Sequence, residues 1–297
     1  MLSFPMARIL VVVNKFWECD AVMAALLNET VRAAGCGWPN EVHQPRLRGV
    51  GWPVIPRAVY QLKKCSVEVW CVSDFLEHSD STLQSSTEEK AKQLVNLFNR
   101  GPMDLLIAVG TAGFPSADIN NNGCVVVGTH VFIHDGHPAD NPNKLSAWRS
   151  NLFDQVIDST LSEKRFADLT NFDATVLTKS LVKPPVSPTS SPSPILIDYA
   201  FVSLGTVNVT DYHDYKRTDP EALAKFDTVA NGLRAGSSET THGLLRVMGT
   251  SNFVFVSGIT DRIGVFDDEV TVGQNFAASY NAGIVVSGLI LNLDSIF

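Results

Sequence analysis

Phe253-Val254-Phe255-Val256-Ser257-Gly258-Ile259-Thr260-Asp261 carries a short apolar run straight into a Thr-Asp pair. A run of aromatic and β-branched residues this short reads as a strand buried on both faces of an α/β sheet. In open sheets of that kind ligands bind beyond the carboxyl ends of the strands. An acid delivered past the strand end, Asp261, is therefore placed for chemistry, although Asp also serves there as a turn or cap residue. Upstream, Ser237-Ser238-Glu239-Thr240-Thr241-His242-Gly243 holds a second acid, Glu239.

Working outward, similar apolar runs predict strands over 9–13, 67–72, 105–109, 124–127 and 195–202, besides 253–256. Between them the pattern predicts helices over 20–33, 88–98, 220–230, 239–248 and roughly 268–292, the last with amphipathic spacing. Thr87 is a candidate N-cap and Pro220 a first-turn proline. The alternation of strands and helices favours one α/β domain over 8–297. Two stretches interrupt it. Residues 38–56 are rich in Pro, Gly and Trp and read as a long loop. Within the less interpretable region 138–194, the segment KPPVSPTSSPSP at 183–194 excludes helix and central strand, and reads as a surface insertion.

Composition excludes several classes of function. With 297 residues, 45% hydrophobic and 18% charged, the chain has an ordinary globular composition. A net charge of −8 argues against a nucleic-acid partner, which would need clustered Lys and Arg. No stretch is expected to reach the ~20 apolar residues of a membrane span, and Arg8 leads into a core strand rather than a signal sequence. The 5 cysteines show no Cys-x-x-Cys spacing, and a reducing cytoplasmic compartment is the expectation.

Three segments together resemble the nucleoside phosphorylase and nucleosidase superfamily, of the purine nucleoside phosphorylase and methylthioadenosine nucleosidase type. The first is Asp104-Leu105-Leu106-Ile107-Ala108-Val109-Gly110-Thr111-Ala112-Gly113, similar to the family's strand and small-residue turn beside the ribose. Gly123-Cys124-Val125-Val126-Val127 resembles the strand that follows it. The second is Ser238-Glu239, matching a Met-Glu pair whose carboxylate accepts the ribose hydroxyls, with Ser238 replacing the Met. A carboxylate suits vicinal hydroxyls because it offers two acceptor oxygens and no donor. The third is Thr260-Asp261, resembling a Ser-Asp pair whose acid protonates or hydrogen-bonds the leaving purine.

The resemblance implies a three-layer α/β/α fold around a central mixed sheet, a small-molecule nucleoside substrate, no metal or other cofactor, and a homo-oligomer. Laid on the family's first strand, Glu18 falls where nucleosidases carry the acid that activates water. Glu18 reads equally as an acid opening the 20–33 helix; Asp20 is the substitute candidate. Phosphorylases of the family show Gly-Asp-Pro after the first strand and an Arg before the small-residue turn. Here Asn14-Lys15-Phe16-Trp17-Glu18 and Ala108 occupy those places, which favours hydrolysis, with Lys15 left as a cation able to serve an anion. Tyr212 and His213 are the candidates to stack on the base. His130, His134, Asp135 and His137 form a cluster in sequence, but lack helix-based ligand spacing. The expected activity is cleavage of a purine nucleoside by water. Phosphorolysis and non-catalytic nucleoside binding remain the alternatives.

Overall fold

The computed structural model describes residues 6–44, 54–76, 87–114, 121–134, 155–186, 194–206, 232–239, 241–263 and 269–297. At its centre β1 (Ala7–Val13) runs parallel to β4 (Cys65–Cys71) on one side and β5 (Leu105–Phe114) on the other. The residues of β1 alternate between two cores. Ile9, Val11 and Val13 pack into the layer containing α1 (Phe16–Leu26) and α6 (Val272–Ile296). Leu10 and Val12 pack with residues of α2 (Thr87–Phe98) and α5 (His242–Met248). That period-2 division, with every one of these side chains 0% exposed, makes the sheet the middle of three layers. Each such burial contributes about 1.5–3 kcal/mol of transfer free energy.

The sheet is mixed and branched. From one edge the order is β2 (Glu41–Val42), β3 (Ala58–Gln61), β4, β1, β5, β11 (Ala235–Ser238), β10 (Val202–Thr206), β7 (His130–His134) and β8 (Val156–Ile157). A branch leaves β5 through the parallel strand β12 (Phe253–Arg262), which pairs antiparallel with β6 (Val125–Gly128). In turn β6 pairs with β9 (Ile195–Ile197). The α/β class and the mixed sheet agree with the expectation from sequence.

Several local expectations are corrected. Gly110-Thr111-Ala112-Gly113 is strand, not turn, because β12 runs beside it and supplies ladder partners: Ser257 opposes Gly110 and Asp261 opposes Gly113. For the same reason Asp261 lies inside β12, where the register shifts between Ile259 and Asp261, rather than past its end. The run 195–202 divides into β9 and β10. Asp198 Oδ1 accepts from the Ala200 N–H at 2.8 Å and its carbonyl from Phe201 N–H at 3.1 Å, a side-chain-closed turn that sends the two halves to different neighbours. The helix expected over 20–33 begins at Phe16 and ends at Leu26, and the one expected over 239–248 begins at His242, after Glu239.

The 38–56 stretch contributes β2, and 155–186 is not irregular: besides β8 it holds α3 (Glu163–Leu169) and α4 (Ala174–Ser180). Ser162 and Asp173 cap these helices, accepting from the Arg165 and Val176 N–H groups. Both pack on α6. That helix corrects two further expectations. It is long and apolar enough to cross a membrane by length and composition, yet 83% of its most apolar window is buried inside the structure. It is also not amphipathic, because α1, α3, α4 and the sheet enclose it. The helix expected over 220–230 lies outside the described residues. All 5 cysteines are free and buried.

Candidate active site

The far end of β5 gathers acids from three other elements. Glu18 arrives first, in the opening turn of α1, where β1 has just ended. Its Oε2 accepts the Lys15 N–H at 2.8 Å, closing the helix start. Its Oε1 accepts both the backbone N–H of Thr111 at 2.9 Å and the Thr111 hydroxyl at 2.6 Å. The carboxylate is 2% exposed. Glu18 therefore opens the helix and also reaches the strand that the sequence singled out. Asp20 is directed elsewhere: its Oδ1 pairs with the buried Arg57 guanidinium at 3.2 Å, which also grips Asp74.

Glu239 follows β11, whose Ser238 pairs with Gly113 of β5. Its carboxylate is 6% exposed and turns back on the start of α5. One oxygen accepts the Thr241 N–H at 2.7 Å and the other the His242 N–H, which satisfies two donors of the helix start and leaves lone pairs for a ligand. Burial pushes its pKa up, Glu18 adds to the rise, and the backbone bonds and Lys90 oppose it, leaving it at about 7.

Asp261 faces Gly113 from the opposite side, across the β12–β5 ladder. It is 2% exposed, and its Oδ1 accepts the Thr260 hydroxyl at 2.6 Å. Thr260 is itself held, its carbonyl taking the Gln274 side-chain N–H at 2.6 Å from α6. Gly113 is thus flanked in the ladder by Ser238 on one strand and Asp261 on another. Gly110, Thr111, Ala112, Gly113, Glu18, Ser238, Glu239, Thr260 and Asp261, all expected from sequence, converge at this end of β5. Tyr212 and His213 lie outside the described residues.

Two further charged or polar residues join them. Lys90 on α2 is 5% exposed, and it lies within Coulombic reach of Lys15, Glu239 and Glu18. Burial lowers its pKa to about 8, Lys15 adds to the fall, and the two acids partly offset it. The spacing Lys90, Leu94, Leu97 puts the lysine on the buried face of the helix, a signal available in the sequence. His242, 1% exposed, has Nδ1 3.1 Å from the Ser203 hydroxyl, and burial holds the ring neutral, with a pKa lowered to about 3. Its position three residues after Glu239 is a weaker sequence signal.

Of the histidine cluster, His130 is engaged by Thr129 Oγ1 at 2.7 Å and by Asp158 at 3.2 Å. Asp135 and His137 lie outside the described residues. Among the described residues no group of three or more His, Cys, Asp or Glu could hold a metal ion.

The fold is similar to that of solved nucleosidases. Comparison with solved structures gives the particular likenesses. The chain superposes on a 5′-methylthioadenosine/S-adenosylhomocysteine nucleosidase from S. pneumoniae, crystallised with a transition-state inhibitor. The TM-score is 0.53 at 12% identity, covering 97% of this chain and 100% of the other. An S-adenosylhomocysteine nucleosidase from Streptococcus pyogenes gives 0.51 at 13% identity, over 98% and 99%. A futalosine hydrolase from Helicobacter pylori gives 0.51 at 9% identity, over 97% and 99%. No family profile and no curated protein sequence matches the chain.

Proposed function

We propose that the protein is a nucleosidase, cleaving the N-glycosidic bond of a purine nucleoside of the methylthioadenosine kind with water. The observation that carries this reading is the convergence of Glu18, Glu239 and Asp261, from three elements, on the end of one strand. Glycoside cleavage needs an acid at the leaving group and a base for water, and here a further carboxylate is available for the sugar. Glu18 takes a proton from water as the water oxygen bonds to C1′. The bond from C1′ to the base nitrogen breaks with its electron pair leaving on the base. Asp261, oriented by Thr260, supplies a proton to the departing purine ring. Glu239 accepts hydrogen bonds from the ribose hydroxyls, and the clustered carboxylates favour the cationic sugar of the transition state. The solved structures of similar fold, two of them nucleosidases of thioether nucleosides, support the substrate class.

A second reading, phosphorolysis, is favoured by one observation: buried Lys90, with Lys15 in Coulombic reach, is a cation an oxyanion could use. One assay separates them. Purified protein is incubated with methylthioadenosine, adenosine, inosine and uridine, with and without phosphate, and products are resolved chromatographically. Free base and the corresponding free sugar (methylthioribose from methylthioadenosine, ribose from the others) without phosphate is the expected result. Cleavage only with phosphate, yielding ribose 1-phosphates, would establish the second reading. Cleavage of none of them would overturn both.

A further inference from the structure

We propose that His242 is a further catalytic residue, whose Nε2 holds the attacking water against Glu18 in the gap beside Gly110. The inference rests on the hydrolytic reading above and deepens it.

Three buried hydroxyls lead to one side of the ring, where Nδ1 also lies 3.5 Å from Glu239 Oε1. Ser257 donates to Ser237 at 2.8 Å, and Ser237 donates to Ser203 at 3.2 Å. Ser203 Oγ lies 3.1 Å from His242 Nδ1. Each hydroxyl has one proton, and the chain is taken to run in this direction, with Ser203 donating to Nδ1. A neutral imidazole that accepts at Nδ1 carries its proton on Nε2. The serines come from β12, β11 and β10, so the sheet itself brings them to the ring. Phe255 holds the ring plane, its centroid 5.6 Å away at an interplanar angle of 30°.

The Nε2 end is different. It is fully buried and has no hydrogen-bond partner among the described residues. A buried donor without an acceptor calls for an explanation. The absent side chain of Gly110 supplies one. A Cβ at Gly110 would lie 3.7 Å from His242 Nε2 and 3.8 Å from Glu18 Oε1, with no third atom inside 4 Å among the described residues other than its chain neighbours. Glycine therefore leaves no side chain beside a donor and a carboxylate, and the proposed water sits farther out from Cα, between the two. A water seated in that way would have two polar partners, Nε2 and the Glu18 carboxylate, the minimum that holds one. Its oxygen accepts from Nε2–H, one of its protons points to Glu18, and its remaining lone pair is free to attack.

The division of labour follows from the chemistry. With Nδ1 occupied and Nε2 protonated, the imidazole cannot take the water's proton, and its low pKa keeps it neutral across the working range. Glu18 is left as the base. The water oxygen bonds to C1′, its proton goes to Glu18, and the C1′–N bond breaks with its pair on the base.

The test is steady-state hydrolysis of methylthioadenosine by the wild type and the variants Gly110→Ala, His242→Ala and His242→Gln. Gly110→Ala places a methyl group in the gap at ordinary contact distances, so it folds and excludes the water. It is expected to lose kcat by roughly 100-fold, with KM changed by less than about threefold, as when one transition-state donor is removed. His242→Ala should show the same pattern. His242→Gln, which restores an N–H donor, should recover about tenfold of the loss. Unchanged kcat in Gly110→Ala overturns the proposal. So does a raised KM at unchanged kcat in His242→Ala, which would mean the ring only steadies Glu239. Wild-type protein without hydrolysis overturns the nucleosidase reading itself, and this inference with it.

Discussion

Glu18 Oε1 accepts two hydrogen bonds from one residue, Thr111, whose N–H lies 2.9 Å and hydroxyl 2.6 Å away across 93 positions of sequence. The pair ties the start of α1 to the end of β5 and sets where one carboxylate oxygen points. Thr111→Val keeps the backbone bond and removes the hydroxyl. A hydrogen bond to a charged group is worth about 1.5–3 kcal/mol. If part of that positions Glu18, kcat should fall about tenfold at unchanged far-ultraviolet circular dichroism. Glu18→Gln should lower kcat by roughly 100-fold or more, as loss of a general base does, while KM stays near wild type. Equal activity of Glu18→Gln and wild type would remove the water-activating role.

Asp261 and Thr260 make a separable pair at the other side of Gly113. Asp261→Asn cannot give a proton to the leaving base, and should reduce cleavage of purine nucleosides by roughly 100-fold to 10,000-fold. Thr260→Val leaves the acid and removes the 2.6 Å bond that orients it, so a smaller loss is expected. Chromatographic rates on inosine and methylthioadenosine check both. An Asp261→Asn variant with full purine activity would sink the assignment.

Glu239 makes the reaction pH-dependent with a definite sign. Only its ionised form accepts from both ribose hydroxyls, and its pKa is raised to about 7, so kcat/KM should climb as pH rises through 7. Lys90 favours the ionised form. Lys90→Met should therefore shift the midpoint upward, and Glu239→Gln should abolish that limb. Stability runs the other way. A carboxyl whose folded pKa is raised contributes stability that is present below its unfolded value and lost as pH rises through about 7. A kcat/KM profile flat between pH 6 and 8 in the wild type would contradict this.

The parts of the molecule legible in sequence are those written locally. β1 and β12 are continuous apolar runs, and runs of that kind are buried strands on almost any fold. The site acids were legible because each follows such a run or a small-residue segment. What stayed hidden depends on pairing between distant strands. Nothing near Gly110-Thr111-Ala112-Gly113 says that it continues as strand, because the ladder partner is Ser257–Asp261. Ser203, Ser237 and Ser257 are ordinary residues in sequence, and become a chain only when β10, β11 and β12 converge on His242. The turn at Asp198 had a local signal, a side-chain acceptor two residues before Ala200, masked by apolar neighbours on both sides.

Packing far from the chemistry also reaches the site through α1. Where α6 crosses α1, a Cβ at Gly283 would meet Ala25 Cβ and the Val22 carbonyl at 2.8 Å each. Neither is the end of a flexible side chain, so Gly283→Ala must push the helices apart. Overpacking of this kind costs about 1–3 kcal/mol. Because α1 carries Glu18, the variant should lose both melting temperature and kcat, whereas Glu18→Gln should lose kcat alone. A Gly283→Ala protein with lowered stability and unaltered kcat would show that α1 is not what holds Glu18 in place.

Acid should unfold the protein partly through His242. The ring is buried neutral, its pKa lowered by burial from 6.5 to about 3. A depressed folded value means stability that is present above the unfolded pKa and lost as pH falls from about 6.5 toward 3. Between pH 7 and pH 4 this amounts to about 3 kcal/mol, at 1.4 kcal/mol for each pH unit below the unfolded value. Glu239 acts oppositely between its unfolded value and about 7, so the wild type alone does not isolate the effect. His242→Gln does, because Gln does not titrate. Urea midpoints measured at pH 7 and pH 4 should converge between the two proteins, the variant starting less stable and losing less. A wild type and variant that lose equal stability over that range would mean His242 is already solvated, and the buried ring would have to be abandoned along with the sheltered Nε2.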